Sequence, residues 1–109
     1  MVSPIGSALD ALTERIIARR GDDPSTSYTA KLISAGAEVC AKKLGEEGVE
    51  AALAGALGNK DDLIAEGADV LYHLAVLLEV HGLSLADVAK ELERRAGQSG
   101  IDEKASRTR

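Results

Sequence analysis

The sequence predicts an all-α fold, a small bundle of about four helices built on a central antiparallel helical hairpin and completed by homodimerisation. Three observations lead there. Apolar residues recur at three- and four-residue spacing through most of the 109 residues. Capping signals punctuate those runs, and no segment alternates as a strand would. The chain is 45 % apolar, yet its only aromatic residues are Tyr28 and Tyr72. Ala, Leu, Val and Ile must therefore fill the core. Such side chains bury modest area each, so a chain this short is expected to finish its core against a second copy.

The elements follow in order within a single domain, residues 1–109, with terminal segments at about 1–7 and 97–109. Leu9, Leu12 and Ile16 share one face of a first helix from about Ala8 to Arg20, ended by Gly21. The run from Asp22 to Ser27 is a loop by composition, and Ser27 can cap a second helix. That helix is expected to continue from Tyr28 to Leu57, where Gly58-Asn59 stops it. Asn59 caps a third helix, Lys60 to Val80, which is apolar almost all round and so expected to be largely buried. Ser84-Leu85-Ala86-Asp87 resembles a capping box with Asp in the place of Glu, opening a fourth helix to about Arg95. The polar tail has the composition of a mobile end.

A net charge of −5 argues against a general nucleic-acid binder. No uninterrupted apolar stretch reaches the roughly 18 residues of a membrane span. The first residues show no basic segment followed by an apolar run, so no signal peptide is expected and the expected location is the cytoplasm. Cys40 is the only cysteine, which excludes an intrachain disulfide and a multi-cysteine zinc site. It is expected to be a small buried hydrophobe.

The acids carry the functional signal. Glu47 and Glu50 lie three residues apart on the second helix, and Glu66 and Asp69 three apart on the third. Each pair shares one helix face. At about 100° per residue, Glu50 points with Leu32, and Glu47 falls between Cys40 and Ala54 on an apolar stripe. Glu66, Asp69 and His73 share a stripe with Val76 and Val80. Glu50 and Glu66 each stand eight residues from Gly58, and Glu47 and Asp69 each stand eleven from it. In an antiparallel hairpin, four carboxylates converge. Two like charges about 5 Å apart repel by about 3 kcal/mol at an effective dielectric near 20. Protonation, lysine partners or a divalent cation would relieve this; Lys43 faces the same side, but one lysine cannot neutralise four acids. Oxygen-only ligands favour Mg²⁺, with Mn²⁺ as a substitute, over zinc.

An acidic Mg²⁺ site suits an anionic polyphosphate, whose charge the metal offsets. Glu46, at the edge of the same face, is a candidate base. Lys42 and Lys43 lie one turn before the acids. Ser27, Thr29 and Lys31 stand at the start of the second helix, where free N–H groups favour anions. These residues are candidates for the phosphates, set against the plainer roles of solvated lysines and capping hydroxyls. His73 either touches substrate or is a hydrogen-bonded core residue. Gly45 and Gly48 face away from the acids, where close packing by another helix would explain them.

Glu46-Glu47-x-x-Glu50 followed by Glu66-x-x-Asp69 resembles the metal motif of the all-α nucleoside triphosphate pyrophosphatases, the MazG-like superfamily. Further segments narrow the resemblance: Ser27-Tyr28-Thr29-Ala30-Lys31-Leu32, Lys42-Lys43-Leu44-Gly45-Glu46-Glu47, Asp69-Val70-Leu71-Tyr72-His73-Leu74 and Gly82-Leu83-Ser84-Leu85-Ala86-Asp87-Val88. With Gly100-Ile101-Asp102-Glu103-Lys104-Ala105-Ser106-Arg107, these are similar to the phosphoribosyl-ATP pyrophosphatase family over about residues 8–107. The resemblance implies cleavage of phosphoribosyl-ATP to phosphoribosyl-AMP and pyrophosphate, the second step of histidine biosynthesis. It implies Glu47, Glu50, Glu66 and Asp69 as Mg²⁺ ligands, Glu46 beside them, and a homodimer. It also implies an ordered tail, with Lys104 and Arg107 over the substrate phosphates or the partner subunit. Gly48 and Gly67 stand where many relatives are expected to carry Ala. Two rival readings are a house-cleaning nucleoside triphosphate pyrophosphatase of the same superfamily and a non-catalytic helical dimerisation module.

Overall fold

A single backbone angle divides what the sequence presents as one long second helix. At Gly36 φ is +96°, a conformation that side-chain-bearing residues rarely adopt. The computed structural model describes residues 3–97, and among them five helices form: α1 Pro4–Arg19, α2 Tyr28–Ala35, α3 Ala37–Ala56, α4 Lys60–Val80 and α5 Leu85–Arg95. The expected helix over Tyr28–Leu57 is therefore two helices. The wheel comparison of Glu50 with Leu32 spans this break and does not apply. The buried thiol of Cys40 bridges it, donating to the Leu32 carbonyl at 3.1 Å, and burial pushes that thiol's pKa up.

Local chemistry sets the remaining boundaries. Ser3 caps α1 by accepting from Gly6 N at 3.1 Å, with Pro4 at the first helical position, so the helix begins one turn earlier than its apolar pattern does. The Ser27 hydroxyl accepts from Ala30 N at 3.2 Å, and Asn59 Oδ1 accepts from Asp62 N at 3.1 Å. Gly58, at φ +72°, turns the chain between α3 and α4. Ser84 and Asp87 close the capping box of α5 reciprocally.

The α3–α4 hairpin is the principal packing pair, and α1 and α2 lie against it. The main buried cluster lies at one end, while Ala54, 8 % exposed, is buried near the other. Ile16, Leu32, Cys40, Ala75 and Val76 are buried together, with Leu12, Ile33, Tyr72 and Leu85 around them. An ion pair between Arg20 and Glu79 ties the end of α1 to α4. At the hairpin's other end, Val49, Leu53, Leu57, Leu63 and Ile64 are exposed. The helix expected to be largely buried, α4, is so from Val70 to Val80, while its first turns are exposed, with nothing in the described chain covering them. The radius of gyration, 15.7 Å, exceeds the ~13 Å of a compact chain near this length, as a projecting hairpin requires. No described helix is long and apolar enough to cross a membrane.

Candidate metal centre

The inner face of α3 repeats every seven residues through Cys40, Glu47 and Ala54. Cys40 is 1 % exposed and Ala54 8 %, so Glu47 is held between two buried neighbours. On α4, Val76 and His73 are buried, Asp69 is exposed and Glu66 is half-buried. The acids thus stand where the packed end of the hairpin gives way to its open end, close enough to solvent for a ligand to reach.

One carboxylate oxygen from each of Glu47, Glu66 and Asp69 lies within 4.8 Å of the other two. Glu47 Oε2 and Glu66 Oε2 are buried without a hydrogen-bond partner. Unsatisfied buried carboxylate oxygens are costly, and hard oxygen donors at this spacing fit a divalent cation. Glu50 stands beside Glu66, outside that tight trio: its charge helps to raise the Glu66 pKa. The Glu66 carboxyl is pushed up to about 7, first by the close approach of the Glu47 carboxylate, then by burial and by Glu50. Without a cation, the cluster relieves its repulsion by retaining a proton.

The other predicted residues are distributed as follows. Lys43 does not neutralise the cluster; its Nζ lies 3.9 Å from Glu46, one turn along the same helix. Both groups are exposed, so the pair contributes little. Lys31 and Lys42 are exposed. Ser27 uses its hydroxyl as the cap of α2. Thr29 is buried, and its hydroxyl meets that of Tyr72 at 2.6 Å. His73 is buried, 6 % exposed, and its Nδ1 has no hydrogen-bond partner. It stands edge-on to Tyr72, ring centroids 5.1 Å apart, and to Tyr28 at 6.3 Å. Lys104 and Arg107 lie outside the described residues. Among the described residues nothing packs within 4 Å of where a Cβ would stand at Gly45 or Gly48.

Sequence reasoning assigned no role to Arg19, Asp22 or the tyrosine pair. Tyr28 and Tyr72 stack with centroids 6.3 Å apart and line one cavity with Arg19 and Asp22. Burial raises the Tyr72 pKa, against which the Thr29 hydrogen bond and the Arg19 charge act. The signal available was that both of the chain's tyrosines flank helix faces carrying site candidates.

Residues 9–96 match the family model described as phosphoribosyl-ATP pyrophosphohydrolase. The chain is 52 % identical to a phosphoribosyl-ATP pyrophosphatase of Paracoccus denitrificans, over 98 % of this chain and 99 % of that one. It is 54 % identical to the protein of that name from Dinoroseobacter shibae, over 93 % and 99 %. For the one from Methylobacterium radiotolerans the identity is 58 %, over 88 % and 90 %.

Proposed function

The chain belongs to the phosphoribosyl-ATP pyrophosphohydrolase family, and from that premise we propose how its acids serve the reaction. The enzyme is a hydrolase of histidine biosynthesis that converts phosphoribosyl-ATP and water to phosphoribosyl-AMP and pyrophosphate. Glu47, Glu66 and Asp69 would hold Mg²⁺, with Glu50 beside Glu66 completing the acidic face. Mn²⁺ is the substitute that the same oxygen donors would accept. The observation that carries this reading is the convergence of three carboxylates, two with buried oxygens lacking any partner.

Mg²⁺ held by these acids would supply charge neutralisation and polarisation of the polyphosphate at the scissile α–β anhydride. The protein's own groups do the rest. For loss of the water proton we assign a carboxylate base, Glu46 or Glu50, a reading supported by the exposure of both on the helix that carries Glu47. The half-buried position of Glu47 and Glu66 limits bulk water around the donors, which strengthens their hold on charge. Lys42, Lys43, Lys31 and the first turn of α2 remain the cationic and N–H groups for the substrate's anionic oxygens, and His73 Nδ1 is free to bond the substrate.

A second copy of the chain would cover the bare end of the hairpin, where Val49, Leu53 and Leu57 form an exposed stripe at four-residue spacing. We place the enzyme in the cytoplasm, as a homodimer.

Glu47→Gln tests the metal assignment. It is nearly isosteric, and circular dichroism should match the parent. Pyrophosphate release should fall by more than about 10²-fold, the upper range for removing a group that merely supports a metal ligand. Activity near that of the parent would remove Glu47 from the mechanism. Turnover of phosphoribosyl-ATP against dUTP and dCTP tests the substrate: preference for the latter two would make this a house-cleaning pyrophosphatase. A chain that neither binds Mg²⁺ saturably nor releases pyrophosphate would be a dimerisation module.

A further inference from the structure

The cavity beside the two tyrosines, about 480 Å³, opens where the end of α1 and the loop after it meet the start of α2 and the face of α4. Arg19, Asp22, Thr26, Ser27 and both tyrosines line it. None of these residues belongs to the acid trio, yet the two sites are joined. Tyr72 lies one turn beyond Asp69 on α4, and both line a neighbouring groove of about 420 Å³. A ligand anchored at the acids by one end can therefore reach the tyrosines with the other.

The lining chemistry is unlike that of the metal centre. Among the described residues Arg19 forms no ion pair, so its guanidinium is available to an anion in a chain of net charge −5. The Asp22 carboxylate on the same wall can accept hydrogen bonds from sugar hydroxyls, but it opposes a second anionic group. Tyr28 is 52 % exposed and offers a ring face. An arginine for one phosphate, a carboxylate for a diol and an aromatic face for a sugar or base together describe a phosphorylated ribose.

Phosphoribosyl-ATP carries two anionic ends. Its polyphosphate suits the metal-binding acids. Its phosphoribosyl arm ends in a phosphate monoester that those acids would repel. We propose that the Arg19–Asp22–Tyr28 cavity is the subsite for the phosphoribosyl arm, with Arg19 holding the monoester and Asp22 the ribose hydroxyls. This rests on the function proposed above and gives the site its means of separating phosphoribosyl-ATP from simple nucleoside triphosphates, which lack that arm.

The chain has two tyrosines and no tryptophan, and both tyrosines line this cavity, so its intrinsic emission reports on the subsite. Ribose 5-phosphate titrated into the Mg²⁺-loaded protein should change tyrosine emission saturably, and ribose should not. Arg19→Gln should weaken the ribose 5-phosphate response by about tenfold or more, the loss expected for a charge-assisted hydrogen bond. Lys90→Gln, an exposed substitution on α5, should leave it unchanged. With phosphoribosyl-ATP, Arg19→Gln should raise KM by a similar factor and leave kcat within about threefold, the signature of lost ground-state binding. No saturable emission change, or equal responses from parent and Arg19→Gln, overturns the subsite. A parent that releases no pyrophosphate from phosphoribosyl-ATP instead sinks the proposed function, so the two failures are distinct.

Discussion

Glu66 faces two carboxylates of α3, and its behaviour follows from that position. With its folded-state pKa at about 7 and an ordinary value of 4.5, the metal-free folded chain binds more protons than the unfolded chain between those limits. Stability must therefore fall as pH rises through that window and level off above it. Thermal melts in EDTA should show Tm falling from pH 4.5 to 7. Saturating Mg²⁺ should remove the fall, because the cation replaces the proton. Glu66→Gln should flatten the profile; a parent and variant with the same pH dependence would mean that Glu66 does not carry the effect. What was legible in the sequence was that acids at matched distances from Gly58 meet across the hairpin; a place on an apolar stripe means half-burial for Glu47 and Glu66, but Glu50 and Asp69 are exposed. The partner of Lys43 was not legible. A lysine on the acid side of a helix can reach several carboxylates, and only side-chain geometry directs it to Glu46.

At the scale of the element, glycines of equal cost on paper have opposite roles. Gly36 occupies φ +96°, a region in which a Cβ costs about 1–3 kcal/mol. Gly36→Ala should lower stability by that amount in urea denaturation. Gly48 lies inside α3 with open space around its missing Cβ. Gly48→Ala should raise stability by about 0.5–1 kcal/mol, from helix propensity alone, with activity retained. A loss of stability there would show that another surface packs on that position. The break at Gly36 escaped the sequence because a lone glycine inside a helix-forming run is tolerated, and no proline or side-chain cap marks the restart of α3. The other caps, at Ser27, Asn59 and Ser84, were legible because a side-chain oxygen before an apolar run satisfies a helix's free N–H groups.

Over the whole molecule, the distribution of burial is the informative quantity. Core residues gather where α1 and α2 cover the hairpin, and Leu53 and Leu57 stay 57 % and 83 % exposed beyond them. Sedimentation at micromolar concentration should give a mass about twice the chain's 11.3 kDa. Leu53→Asp should return it to the monomer mass and lower Tm. A monomeric parent would leave Leu53→Asp nearly neutral, within about 0.5 kcal/mol, as for ordinary surface substitutions. The sequence by itself determined the helical class, the hairpin about Gly58 and the approach of acids across it, three of the four expected forming one cluster, since apolar period, caps and distance from a turn are local and additive. Only the tertiary structure decided that the long second helix breaks, and that the acids lie at the border between packed and bare hairpin. It alone brought Arg19, Asp22 and the tyrosines around one cavity. Those outcomes depend on how helices distant in sequence pack against one another, and that competition for burial has no counterpart in the spacing of residues along one helix.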